Sequence, residues 1–138
     1  MLTGHCLCGS VTYRADADPI FTALCHCDDC QRSSGSTFST NVVVPRAALQ
    51  VEGDTLGTFN TTGTDTGQPR ERQFCTRCGS QLFTMLSEMP DVAIIKAGTL
   101  DDRSVVAPTM ELWKTSGQAW VDAANGDRQV MERGLPAG

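Results

Sequence analysis

Seven cysteines arranged in three blocks constrain this chain more than any other feature. The blocks are Cys6-Leu7-Cys8, Cys25-His26-Cys27-Asp28-Asp29-Cys30 and Cys75-Thr76-Arg77-Cys78. An odd number of thiols cannot all pair as disulfides, and cysteines one or two residues apart converge on a metal ion more readily than on each other. The first and third blocks end alike, in Cys8-Gly9-Ser10 and Cys78-Gly79-Ser80, and each then enters an alternating segment. Glycine after the last thiol permits positive φ and turns backbone N–H groups toward sulfur. The middle block is followed instead by Gln31-Arg32-Ser33-Ser34-Gly35. The matching ends therefore group Cys6, Cys8, Cys75 and Cys78 as one closed, structural four-thiolate site. A zinc ribbon built from Cys27, Cys30, Cys75 and Cys78, leaving Cys6, Cys8 and Cys25, stays open on spacing alone.

The first grouping leaves Cys25, Cys27 and Cys30. Three thiolates on Zn²⁺ leave one coordination position for a guest, the mark of a catalytic rather than a structural ion. Thiolates donate charge, so such an ion is a poorer Lewis acid than one held by histidines. It suits a substrate thiolate better than an activated water. Two Zn²⁺ per chain are expected, the second site being the weaker and partly occupied.

The remaining composition narrows the class. At 138 residues the chain is expected to form a single domain, 1–138. Sixteen acidic against eleven basic residues give a net charge of −5, which argues against a nucleic-acid partner and means an anionic ligand needs local Arg or Lys. No apolar run reaches the ~20 residues of a membrane span, and the start MLTGHCLCGS has no secretory character. Together these point to the cytoplasm, with no membrane partner. The oligomeric state is not legible.

Strands are predicted at Ser10–Ala15, Ile20–Cys25, Phe38–Val44, Leu49–Glu52, Leu56–Asn60, Ser80–Leu86 and Val92–Ala97, with weaker candidates at Leu112–Thr115 and Trp120–Val121. Gly53-Asp54 reads as the turn of a hairpin joining the strands around it. Asp28–Ser33 reads as one short helical turn, with Asp28 and Asp29 as caps and Gly35 as its stop. Pro45–Leu49 reads as a second turn, Thr61–Pro69 as a polar loop, and the residues from Gly134 on as frayed. The fold class expected is mainly β, antiparallel, with little helix.

The order Cys-x-Cys-Gly (Cys6–Gly9), Cys-His-Cys-x-x-Cys (Cys25–Cys30) and Phe-Cys-x-x-Cys-Gly (Phe74–Gly79), with Gln31–Gly35 and the late Glu111-Leu112-Trp113 and Trp120, resembles the glutathione-dependent formaldehyde-activating enzyme family, which includes centromere-protein-V-like proteins. The resemblance covers residues 3–121. It implies a β-tent type fold around a structural zinc on Cys6, Cys8, Cys75 and Cys78. It implies a catalytic zinc on Cys25, Cys27 and Cys30. The implied activity is a carbon–sulfur lyase of the S-hydroxymethylglutathione synthase type, condensing glutathione with formaldehyde or a similar small aldehyde. Glu111 stands where many members of the family carry histidine.

Other residues read more plainly. In an extended Cys-x-Cys the ring of His26 points away from the metal, as a satisfied or exposed histidine, the alternative being a role behind the metal ligands or as a proton shuttle. His5 is expected at the surface. Arg32 with the Ser33 and Ser34 hydroxyls reads either as the seat for a glutathione carboxylate or, for Arg32, as a solvated arginine at a helix end. Arg70, Arg72 and Arg77 read as solvated strand-edge charges able to offset the net charge, Trp113 and Trp120 as core or rim packing, and Lys96 as unremarkable. The rival readings are a zinc-stabilised binding module with both metals structural, and a redox site in which Cys27 and Cys30 cycle through a disulfide.

Overall fold

A computed structural model describes residues 1–121 and residue 133. The expectation for the residues from Gly134 on lies outside these. The architecture is mainly β, as the sequence predicts, with one α-helix among the described residues. Among the described residues ten strands run in chain order: β1 (Leu2–His5), β2 (Thr12–Ala15), β3 (Phe21–Cys25), β4 (Ser39–Pro45), β5 (Leu49–Glu52), β6 (Leu56–Thr62), β7 (Pro69–Cys75), β8 (Gln81–Leu86), β9 (Val92–Lys96) and β10 (Met110–Leu112), with α1 (Asp28–Ser34) between β3 and β4. They form a three-stranded sheet, β1-β2-β5, and a seven-stranded sheet, β10-β3-β4-β9-β8-β7-β6. Every pairing is antiparallel except β10 with β3, which is parallel.

Alternation with a period of two sorts the large sheet into faces. Val42 and Val44, Phe83 and Met85, and Ala93 and Ile95 turn to a core shared with Val11, Tyr13 and Ala15 of the small sheet. The single tyrosine sets the contact: its ring meets Phe83 edge-on at 5.0 Å and its hydroxyl lies 2.7 Å from Thr99 Oγ1. Each fully buried Val, Leu, Ile or Phe here contributes about 1.5–3 kcal/mol. Residues out of phase with them, among them Asn41, Thr84, Leu86, Ile94 and Lys96, line a cavity on the opposite face.

Several expectations are corrected. Gly53-Asp54 does not close a hairpin, because β5 pairs with β2 whereas β6 pairs with β7. The turn carries the chain from one sheet to the other. Gly53 has φ 118°, and a Cβ there would lie 2.2 Å from the Ser10 carbonyl oxygen, so the crossing needs glycine twice over. Ser10 and Val11 belong to the first cysteine turn, and the strand begins at Thr12. The 61–69 loop shortens to 63–68 as β6 and β7 extend. β1 and β7 were not predicted. β7 reads PRERQFC, and its alternation is hidden because one face is polar and faces a cavity rather than the core. The strand predicted at Leu112–Thr115 lies earlier, at Met110–Leu112, and stops at Trp113, whose φ is 55°. Trp120 and Val121 form a 3₁₀ turn. No helix among the described residues is long and apolar enough to cross a membrane.

Candidate metal centre and cavity

The seven sulfurs fall into two groups. In the first, Cys6, Cys8, Cys75 and Cys78 lie with their Sγ atoms all within 4.8 Å of one another. Cys6 and Cys8 are 3.6 Å apart and Cys8 and Cys75 3.8 Å apart. A tetrahedron with Zn–S bonds of about 2.3 Å has an edge of about 3.8 Å, so the donor set and spacing fit one zinc ion. The two halves are built alike. Gly9 and Gly79 have φ of 80° and 79°, and their N–H groups close the turns onto the Cys6 and Cys75 carbonyls at 3.0 and 2.7 Å. The serine after each glycine approaches the preceding sulfur: Ser10 Oγ lies 3.0 Å from Cys8 Sγ, and Ser80 Oγ 3.2 Å from Cys78 Sγ. Leu7 N–H donates to Ser80 Oγ at 2.9 Å, tying one turn to the other. Ser10 and Thr55 hydroxyls hold the Cys75 thiol down to about 5 and Ser80 holds Cys78 at about 7, whereas against the pull of Ser10, burial and the Cys6 and Cys78 thiols raise Cys8, so the third block in particular favours thiolates before any metal arrives.

The second group is Cys25, Cys27 and Cys30, all buried, their sulfurs likewise within 4.8 Å of one another. Among the described residues no further His, Cys, Asp or Glu joins either group. Cys25 ends β3. Cys27 is the N-cap of α1, its Sγ accepting from Cys30 N–H at 3.3 Å, a role predicted for Asp28 and Asp29. Those two acids occupy the first helical turn instead, where the helix dipole favours them. Gly35, at φ 67°, ends the helix as predicted. The trio is braced from behind. His26 N–H donates to Leu112 O at 2.9 Å, and the Gln31 side chain donates to His26 O at 2.7 Å and to Ser116 O at 3.0 Å. Sulfur-to-sulfur hydrogen bonds from Cys27 and Cys30, with burial, push the Cys25 thiol far up. Bonds from Cys25 and Cys27, aided by Lys96, hold Cys30 far down. A divalent cation would replace the protons on three thiols that already converge on one point, so the donor chemistry suits zinc here as well.

The trio opens on a cavity of about 140 Å³, close to the roughly 150 Å³ that holds a benzene ring. Its lining includes Asp29, Asn41, Arg70, Arg72, Thr84, Lys96 and Trp113. Asp29 clasps the 63–68 loop over it, accepting from Thr64 N–H at 2.8 Å and Thr64 Oγ1 at 2.7 Å. Among the described residues, three buried side-chain polar atoms have no hydrogen-bond partner: His26 Nδ1, Ser39 Oγ and Thr84 Oγ1. Thr84 lines the cavity, Ser39 stands opposite Cys25 in the sheet, and His26 Nδ1 lies near Gly117, outside the cavity lining. The Thr84 hydroxyl is thus the one that keeps polar capacity in reserve in the cavity itself.

The structure redistributes the other candidates. Arg32 is 81% exposed and pairs with Asp28 at 2.9 Å, away from the cavity. Ser34 donates to the Cys30 carbonyl at 2.7 Å, while Ser33 Oγ accepts from Arg72 Nη1 at 3.3 Å. Arg70 and Arg72 are not strand-edge charges, because β7 lies between β8 and β6. Arg70 is only 11% exposed and donates to both Glu88 oxygens, at 2.5 and 2.7 Å. Arg77 is exposed, as is His5, which bonds the Cys6 carbonyl. His26 is neither solvated nor idle: it is 1% exposed, its Nε2 lies 2.9 Å from Glu111 Oε1, and its ring tilts against Phe38. Trp113 stands at the rim and Trp120 is exposed.

Lys96 is the residue that sequence reasoning passed over. It lines the cavity, donates to Asn41 Oδ1 at 2.8 Å, and feels the cysteine sulfurs. Burial pulls its ammonium below the usual lysine range, while the thiolates pull the other way. The only clue in the sequence was its phase, two residues beyond Ile94 on the same strand face.

Comparison with known proteins agrees in extent with this picture. A family profile described as "Glutathione-dependent formaldehyde-activating enzyme" matches residues 1–116. A protein of Halomonas elongata named "Putative glutathione-dependent formaldehyde-activating enzyme" is 24% identical over 99% of this chain and 89% of its own length. An Emericella nidulans protein of the same name is 32% identical over 57% of this chain and 39% of its own length. A solved Rhodobacter sphaeroides protein shares the fold, with a TM-score of 0.59 and 19% identity over 79% of this chain and 98% of that one.

Proposed function

The chain belongs to the glutathione-dependent formaldehyde-activating enzyme family, and from that premise we propose that it is a zinc-dependent carbon–sulfur lyase joining a thiol, glutathione, to formaldehyde or a similarly small aldehyde. The observation that carries this reading is the trio itself: three buried thiols, gathered on one point, with a small polar cavity on their open side. A purely structural site encloses its ion with four protein donors, whereas this group offers three donors beside a cavity.

In this reading Cys25, Cys27 and Cys30 hold Zn²⁺, and Cys6, Cys8, Cys75 and Cys78 hold the structural ion. Held by these three cysteines, zinc would supply the chemistry that lets a substrate thiol lose its proton at neutral pH and stay nucleophilic. The chain's own residues do the rest. The substrate sulfur attacks the aldehyde carbon, a C–S bond forms, the C=O π pair moves to oxygen, and that oxygen takes up one proton for the one the thiol released; the reverse sequence is the lyase direction. Lys96 occupies Asn41 Oδ1, which leaves the Asn41 amide N–H group as the donor that side chain can offer to the developing oxyanion. Leu86, Ile94, Leu112 and Trp113 restrict water around the reacting atoms.

The test is metal stoichiometry together with turnover of glutathione plus formaldehyde, on the native protein and on Cys27→Ser. Two zinc ions falling to one, with the fold kept and turnover lost, is the expected outcome. Turnover that survives Cys27→Ser, or a native protein holding one zinc and a Cys27–Cys30 disulfide, would sink the reading.

A further inference from the structure

We propose that Arg72, Lys96 and Thr84 form a carboxylate-binding subsite, which seats a carboxylate of a substrate whose reacting group lies at the three cysteines. The proposal rests on the reading that a substrate enters this cavity, but not on which reaction follows.

A second cavity, of about 300 Å³, lies beside the first and is lined by Ser33, Phe59, Phe74 and Gln81 among others. Arg72, Thr84 and Lys96 line both cavities, so they make up the partition between them. Sheet register explains the grouping: Arg72 on β7 stands directly opposite Thr84 on β8, Thr84 opposite Ile94 on β9, and Lys96 follows Ile94 by two residues. Two cations and a hydroxyl are thereby placed on the floor of a water-poor site.

These donors have capacity left over. Among the described residues neither Arg72 nor Lys96 forms an ion pair. Arg72 donates to the Ser33 hydroxyl at 3.3 Å, and Lys96 to the neutral Asn41 amide. Thr84 is 4% exposed and its Oγ1 has no partner. Two acids line the first cavity, Asp65 and Asp29, the latter held by Thr64; neither forms an ion pair with Arg72 or Lys96, and among the described residues no acid lines the second cavity. Arg70 is already neutralised by Glu88 and stays outside the group. Formaldehyde is neutral and needs none of these charges. A carboxylate matches them: it accepts from a guanidinium fork, an ammonium and a hydroxyl at once.

The carboxylate can come from the thiol substrate, whose peptide would run from the trio across the partition into the second cavity, or from an electrophile that is itself an aldehydo acid. The first cavity is too small for a tripeptide, which is why the shared partition matters. Calorimetry on the zinc-loaded full chain separates the sources. The probes are S-methylglutathione, the same compound with both carboxylates amidated, and glycolate. None has a thiol, so binding reports the seat and not the chemistry. A loss of roughly tenfold or more on amidation assigns the seat to the thiol substrate. Equal binding of acid and amide, with glycolate binding by itself, assigns it to the electrophile. In the first case Arg72→Gln and Lys96→Gln remove the acid-over-amide preference and Thr84→Val reduces it several-fold; in the second the same substitutions abolish or weaken glycolate binding to the same degrees. Should Lys96→Gln fail to fold, Arg72→Gln and Thr84→Val still decide. The proposal is overturned if acid and amide bind alike and glycolate does not bind, or if folded Arg72→Gln and Thr84→Val keep the native acid-over-amide preference or the native glycolate affinity. A chain that binds carboxylates but does not turn over formaldehyde would refute the reaction and leave the seat standing.

Discussion

His26 and Glu111 meet at 2.9 Å, Nε2 to Oε1, across a parallel strand pair that shares no local sequence. Residue 26 stands between two cysteines of the trio, and the carboxylate that orients it comes from β10, eighty-five positions away. Lys114 Nζ, 3.4 Å from the same oxygen, closes the cluster. Removing the carboxylate from Glu111→Ala frees the imidazole to reorient and loosens the turn that sets Cys25 and Cys27. Outer partners of this kind are worth about 10–100-fold in metal affinity. The expected result, read by competition with a chromophoric chelator, is weaker binding of one zinc by that factor and no change in the other. Affinities of both sites unchanged from the wild type would show that Glu111 has no positioning role.

The two cysteine groups should respond differently to loss of a ligand. Apparent binding energies of about 10–16 kcal/mol for structural zinc match or exceed the about 5–15 kcal/mol that keeps a domain folded. Cys75→Ser is therefore expected to give insoluble or unfolded protein, whereas Cys27→Ser should keep its circular dichroism and its cooperative melt. Chelation in steps should likewise release one ion without unfolding and the second with it. Similar damage from both substitutions would contradict the division.

Tyr13 provides a pH test that needs no metal. Burial pushes its phenol up to about 12, against a smaller opposing pull from the Thr99 hydrogen bond. The unfolded chain titrates near pH 10. Between those values the unfolded state has lost a proton that the folded state retains, so stability falls as pH rises. About 3 kcal/mol present below pH 10 should be gone by about pH 12. As the only tyrosine, it can be followed by absorbance near 295 nm without interference. A native-state midpoint near 10 would mean the ring is not packed as described.

Gly4 lies against that same tyrosine. A Cβ there would fall 2.3 Å from Tyr13 Oη and 2.4 Å from the Thr99 carbonyl oxygen, the second of which is backbone and cannot step aside. Gly4→Ala should cost at least about 3 kcal/mol in denaturant midpoints, as overpacking does at rigid positions. Wild-type stability in this variant would be inconsistent with β1 packing over Tyr13.

Thr84→Val makes the opposite prediction. The hydroxyl has no partner, so the isosteric change removes an unsatisfied group and should leave stability equal or raise it by about 1 kcal/mol. A fall in melting temperature would mean that Thr84 is already hydrogen-bonded in the folded chain.

Local chemistry is written directly in the residues. Gly9 and Gly79 announce two tight sulfur turns because only glycine takes their φ, and Ser10 and Ser80 follow as hydroxyl donors. Gly35 likewise announces the helix stop, and runs such as STNVVVP and VAIIK announce buried strands. What depends on one strand meeting another was not written there. Spacing alone left open which cysteine block joins which, since the sulfurs of the first group come together across nearly seventy residues. Nor did it show that Gly53 crosses between sheets, that Glu111 reaches His26, or that Arg72 and Lys96 share a wall while Arg32 turns away. A glycine turn is decided by the backbone torsions of a few residues, but the partners of a charged side chain are decided by sheet order and register. Those are collective outcomes of the core, fixed by how Tyr13, Phe83 and Ile95 bury against one another, and no single stretch of chain encodes them.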